Sequence, residues 1–131
     1  MKVKVAATQM SISWDIENNI AKATKMVEDA VKEGANIVLL QELFKTPYFC
    51  QKEKYEYFEL AEEFENSSFI KHFQDVAKKN NVVLPISFFE RSGNCFFNSI
   101  AIIDADGEVL GVYRKSHIPT GECYEEKFYF S

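Results

Sequence analysis

Residues 3–41, VKVAATQMSISWDIENNIAKATKMVEDAVKEGANIVLLQ, decide the fold. The segment opens at 3–9 with the alternation and small residues of a strand that starts a sheet. A helix follows. Asp15 offers a capping oxygen, and Ile20, Ala23, Val27, Ala30 and Val31 recur at three- and four-residue steps, forming one apolar stripe. Gly34 stands where a left-handed residue is wanted at a helix end. Residues 36–41, NIVLLQ, are a short continuous apolar run, as expected for a strand buried on both faces. Strand, helix and strand make a βαβ unit, so the fold class is α/β.

Downstream, Pro47 breaks the chain, and residues 47–66 mix aromatics with charge and read as loop with a short helix. Residues 67–79 read as a second amphipathic helix, with Phe69, Ile70, Phe73, Val76 and Ala77 on one face and Asn80 and Asn81 stopping it. VVLPISFFE at 82–90 is a strand in which Pro85 denies one ladder donor, suggesting an edge or a bulge. NSIAIID and EVLGVYRK form a hairpin across Ala105, Asp106 and Gly107, because Asp-Gly supplies the positive φ of the turn. The tail from Ser116 to Ser131 has no period and reads as ordered loop.

Composition narrows the function. In 131 residues, 47% hydrophobic and 15% aromatic content provides for one packed domain. A net charge of −5, with Lys and Arg scattered among Asp and Glu, gives no basic face for nucleic acid. No apolar stretch reaches the roughly 20 residues of a membrane span, and MKVKVAATQM lacks the apolar core of a signal peptide. The expected setting is cytoplasmic. Cys50, Cys95 and Cys123 are too few and too widely spaced for a disulfide framework, and no Cys/His cluster suggests a metal.

The chemistry-bearing candidates sit at strand ends. Glu42 directly follows the apolar run, where ligands gather in open α/β sheets, and a carboxylate there suits a general base. Lys115 ends the last strand, where an ammonium can stabilise an oxyanion. Taken singly, each is also satisfied by a solvent-facing side chain, and Glu122, Glu125 and Glu126 by a solvated loop face. His117 has no partner pattern, and Gly107 and Gly111 form no phosphate-binding fingerprint. Cys50 and Cys95 read as partly buried small apolar residues, and the acidic neighbours of Cys123 disfavour a thiolate.

KVAATQM, NNIAKATKMVEDAVKEGANIVLLQELF and, most specifically, VVLPISFFE, NSIAIIDADGEVLGVYRKSHIP and GECYEEKFYF together resemble the nitrilase superfamily of carbon-nitrogen hydrolases, with LLQELF and YRKSHIP a strong signal as a pair. The resemblance implies a four-layer αββα sandwich, of which residues 1–131 are the N-terminal half: a mixed sheet with two helices on one face. It also implies a Glu-Lys-Cys triad. Glu42 would be the base, Lys115 would stabilise the tetrahedral intermediate, and Glu126 would be a second acid supporting the Lys and the substrate. The family's nucleophilic Cys belongs to a later segment that is absent here, so the chain alone is expected to be inactive. QELF followed by PYFCQ, with GECYEEKFYF, points to the amidases of polyamine biosynthesis. The implied partner is a small-molecule N-carbamoyl amine, its ammonium received by Glu122, Glu125 or Glu126. No cofactor is implied, and a homo-oligomer is expected for the complete enzyme. An amidase for another N-carbamoyl or aliphatic amide stays open, as does a non-catalytic protein docking on a full-length relative.

Overall fold

A computed structural model describes residues 2–131. Strand β1 (Val5–Ala7) and strand β2 (Ile37–Leu39) pair in parallel, with helix α1 (Ile16–Lys32) crossing between them. Asp15 starts α1 by accepting from the Asn18 amide at 3.0 Å. At its end the Ala35 amide turns back onto the Ala30 carbonyl while Gly34 takes φ +91°, a conformation costly for any side chain. Helix α2 (Ser68–Asn80) is capped by Ser67, whose Oγ accepts from the Ile70 amide at 3.0 Å. It is closed by Asn81 at φ +50°.

Strands β3 (Leu84–Ser92), β4 (Cys95–Ile103) and β5 (Val109–Arg114) form an antiparallel meander. Val83 joins it to β2: its amide donates to Asn36 O and its carbonyl accepts from Val38 N, in a parallel bridge. Pro85, two residues on, faces the same neighbour by strand alternation and has no donor to extend the pairing. Pro85 thus sits on the edge strand of the three-stranded meander and not at a bulge, and it shortens the β2–β3 pairing to one bridge. The bulge lies on β5, where Leu110 is extra between the pairs Ile102–Gly111 and Ile103–Val109. In the β4–β5 turn Gly107 has φ +89°, and a Cβ there would meet the Gln74 carbonyl of α2 at 2.8 Å.

Three readings change. The segment 47–66 holds three short 3-10 turns, Phe49–Gln51, Tyr55–Leu60 and Phe64–Asn66. The tail contains helix α3 (Glu126–Tyr129), a single turn too short to show a period, fixed by burial of Tyr129 and Phe130 among Leu43, Phe49 and Phe89. Cys95 is an exposed strand residue, whereas Cys50 is wholly buried.

The main core lies on one side of the sheet. Ala23 and Val27 of α1 and Phe69, Ile70, Phe73 and Ala77 of α2 bury Val38, Leu84, Ile86, Phe88, Ala101 and Ile103. A buried side chain of this size stabilises the fold by about 1.5–3 kcal/mol. The opposite face is open. Val5, Leu39 and Tyr113 are exposed there, beside the half-buried Ile37, Pro85, Ile100 and Ile102. Leu39 at 47% exposure corrects the expectation that β2 is buried on both sides: α1 and α2 cover only the Val38 side.

An apolar strip left open on one sheet face is a surface prone to association. The chain alone is therefore expected to bind an apolar fluorescent dye and to self-associate as concentration rises, with both effects reduced by Leu39→Lys together with Tyr113→Lys. A dye-silent monomer in sedimentation at high concentration contradicts this.

Candidate active site

Beyond β2 the chain turns across β3. Leu43 adopts φ +52°, unusual for a residue with a branched side chain, and is held there by burial and by the Ser87 Oγ, which accepts its amide at 2.9 Å. That turn carries Glu42 from β2 over to β4 and β5. Lys115 follows β5, and its amide donates to the Asn98 carbonyl of β4 at 2.8 Å. α3 brings in Glu126, which is 3% exposed.

The three side chains meet. Lys115 Nζ donates to Glu126 Oε2 at 2.8 Å and to Glu42 Oε1 at 3.3 Å. Two residues extend the chain at its ends: Asn98 Nδ2 donates to Glu42 Oε1 at 2.6 Å, and Tyr48 Oη donates to Glu126 Oε1 at 2.6 Å. Lys115 and Glu42 lie on strands running the same way, since β2 parallels β3 and the antiparallel meander restores that direction at β5. β3 and β4 stand between them, so the crossing turn at Leu43, and not strand adjacency, closes the distance.

Burial pulls the Lys115 ammonium down, but its hydrogen bond to Glu126 and the charges of both carboxylates outweigh it and hold its pKa above the ordinary lysine value. It stays a cation. Burial, then the bond to Glu126, raises the Tyr48 phenol, which stays a donor. The cluster borders an open cleft of about 290 Å³ on the uncovered sheet face, with Glu42, Asn98 and Lys115 at one end and Leu39, Ile100 and Tyr113 along its wall. A cation between two acids beside an apolar cleft can accept a proton at one carboxylate and stabilise a developing oxyanion at the ammonium.

Beneath Lys115, Arg114 points to the other face. It clasps the buried Glu90 through Nε at 2.9 Å and Nη2 at 2.5 Å and lies over the Phe97 ring at 3.9 Å. Ser99 donates to the same carboxylate at 2.6 Å. This pins the end of β5 from which Lys115 projects.

The acidic tail separates. Glu126 is committed to Lys115 and Tyr48 and is not free to receive a substrate ammonium; Glu125 accepts from Thr120 Oγ1 at 3.3 Å, and Glu122 is exposed. His117 is exposed on the loop after Lys115. Burial, with the charges of Glu126 and Glu42, pushes the Cys50 thiol up to about 12, so this cysteine close to the cluster is inert at neutral pH. Cys95 and Cys123 are exposed. Among the described residues no group of three or more His, Cys, Asp or Glu is arranged to hold a metal ion, and no helix is long and apolar enough to cross a membrane. Asn98, Tyr48 and the Glu90–Arg114 pair carry no signature in the sequence, because each acts through a contact made only by folding.

Residues 4–131 match the carbon-nitrogen hydrolase family. The chain belongs to that family. It is 49% identical to N-carbamoylputrescine amidase of Arabidopsis thaliana over 99% of this chain and 44% of that protein. It is equally 49% identical to citrullinase of Francisella tularensis over 98% of this chain and 45% of that protein. The crystal structure of a carbon-nitrogen hydrolase from Helicobacter pylori superposes with a TM-score of 0.91 at 36% identity, covering 98% of this chain and 44% of that one. This carbon-nitrogen hydrolase chain therefore spans less than half the length of the curated relatives it matches, and its sheet with two helices on one face is half of an αββα sandwich.

Proposed function

We propose that this chain supplies the acid-base and oxyanion-stabilising half of an amidase that hydrolyses the terminal carbamoyl group of an N-carbamoyl amine, N-carbamoylputrescine first, in polyamine biosynthesis. The observation that carries the reading is Lys115 held between Glu42 and Glu126 at the rim of a cleft. The nucleophile is a cysteine outside residues 1–131, borne by a C-terminal half of the domain that packs on the open sheet face. The inertness of Cys50 supports this, as does the alternation along β4, which puts Cys95 on the sheet face opposite to Asn98.

In the proposed reaction Glu42 takes the thiol proton, and the thiolate attacks the carbamoyl carbon. Lys115 holds the oxyanion while Glu126, itself held by Tyr48, holds Lys115. Ammonia leaves with a proton returned from Glu42. Water, deprotonated by Glu42, then cleaves the thioester, and the carbamic acid loses carbon dioxide to give putrescine. No cofactor enters these steps. Citrulline is a second substrate to be weighed, because the citrullinase relative is as similar as the amidase and the same ureido end would be cleaved.

The test joins residues 1–131 to the remaining length of the Arabidopsis relative to give a complete enzyme, and measures ammonia release from N-carbamoylputrescine and from citrulline. Turnover of the first by the complete enzyme, with none by the chain alone, is expected. Turnover of citrulline only reassigns the substrate, and turnover by the chain alone contradicts the placement of the nucleophile.

A further inference from the structure

We propose that Asn98 is a positioning residue that commits one oxygen of Glu42 and leaves Oε2 as the proton-accepting atom; the inference rests on the assignment of Glu42 as base. A carboxylate offers two oxygens, and a thiol approaching the wrong one finds it occupied. Glu42 Oε1 accepts from Asn98 Nδ2 at 2.6 Å and from Lys115 Nζ at 3.3 Å, which engages both of its lone pairs. Oε2 accepts no hydrogen bond among the described residues, on a side chain that is 52% exposed toward the cleft. The orientation of the Asn98 amide is fixed by chemistry: only its NH2 can serve a carboxylate.

Asn98 is well placed for this. It is 5% exposed in the middle of β4, with β3 and β5 on either side, so its side chain has little freedom. The same residue receives the Lys115 amide on its backbone carbonyl at 2.8 Å. One residue therefore sets the relative position of both groups: its backbone registers Lys115 and its side chain turns Glu42. Lys115 cannot do this alone, because its flexible ammonium, 3.3 Å from Oε1, would follow a rotating carboxylate. Without Asn98 the Glu42 carboxylate is free to rotate between its two oxygens, and a misplacement on the order of 1 Å at a reacting group costs roughly 10²-fold in rate.

The experiment uses Asn98→Asp, Asn98→Leu and Glu42→Gln in the complete enzyme, with kcat and KM measured across pH and thermal unfolding followed in parallel. Near neutral pH Asn98→Asp is expected to lower kcat by roughly 10²-fold with KM unchanged, because a second carboxylate then faces Glu42 and donates nothing. As pH falls, a proton on the introduced carboxyl restores a donor, so the ratio of variant to wild-type kcat rises. Asn98→Leu, with the same branching but more bulk, has no donor at any pH and gives a low, flat ratio; a merely structural role would leave both ratios flat. Wild-type kcat in either folded variant, or a flat ratio for Asn98→Asp, overturns the proposal. If Glu42→Gln retains turnover, the base assignment fails instead, and the proposal with it.

Discussion

Lys115→Ala is expected to lower kcat/KM for the complete enzyme by roughly 10³-fold, at the upper end of the loss seen when one oxyanion-stabilising donor is removed. The physical reason is double. The ammonium is the only cation touching Glu42 and Glu126 among the described residues, so its loss leaves two carboxylates facing a site without a counter-charge and, in the proposed reaction, no cation to hold the oxyanion. Lys115→Arg should rescue little. A planar guanidinium cannot take the position of a compact ammonium seated between Glu126 at 2.8 Å and Glu42 at 3.3 Å. Steady-state kinetics on both variants decide the matter: a Lys115→Ala enzyme within tenfold of wild type removes Lys115 from the mechanism.

The second large effect is on stability. Glu90 is 4% exposed, and its carboxyl is held below its ordinary value by the Arg114 hydrogen bonds, acting with Ser99 against burial. A carboxyl depressed in the folded state contributes stability that is present above its unfolded value, near 4.5, and is lost as pH falls through the folded value. Arg114→Met strands the buried charge. Breaking a buried pair from one side costs about 3–5 kcal/mol, and here the lower end of that range applies because the guanidinium side chain is 44% exposed. Urea unfolding should show this loss in full at pH 7, with a gap that narrows as the pH is taken below the carboxylate range, where a protonated Glu90 no longer needs the cation. A gap of equal size at pH 7 and pH 3 contradicts this account.

The architecture was legible in the sequence wherever periodicity and turn chemistry act locally. The apolar stripe from Ile20 to Val31, the cap at Asp15 and the Asp106-Gly107 turn each lie where the pattern puts them. What escaped depends on distant partners. Helix α3 is one turn long and exists because Tyr129 packs on Phe49 and Phe130 on Phe89, contacts between residues far apart in the chain. Pro85 was visible as a missing donor, but which neighbour lacked it required the Val83 bridge.

The site divides the same way. Glu42 and Lys115 stood out by resemblance and by their places at strand ends, Glu126 by resemblance alone, and the fold brings all three together. Asn98 and Tyr48 did not stand out. An asparagine at mid-strand and a tyrosine after a proline are ordinary residues until the turn at Leu43 lays Glu42 beside one and α3 lays Glu126 beside the other.

In the proposed reaction residues 1–131 hold the base and the cation while the attacking sulfur lies elsewhere. The most direct measurement of this division is rapid acid quenching of the complete enzyme during turnover, followed by peptide mass mapping of the acylated cysteine. The acyl mass is expected on a cysteine outside residues 1–131, absent when Glu42 is replaced by Gln. An acyl group on Cys50, Cys95 or Cys123 contradicts it.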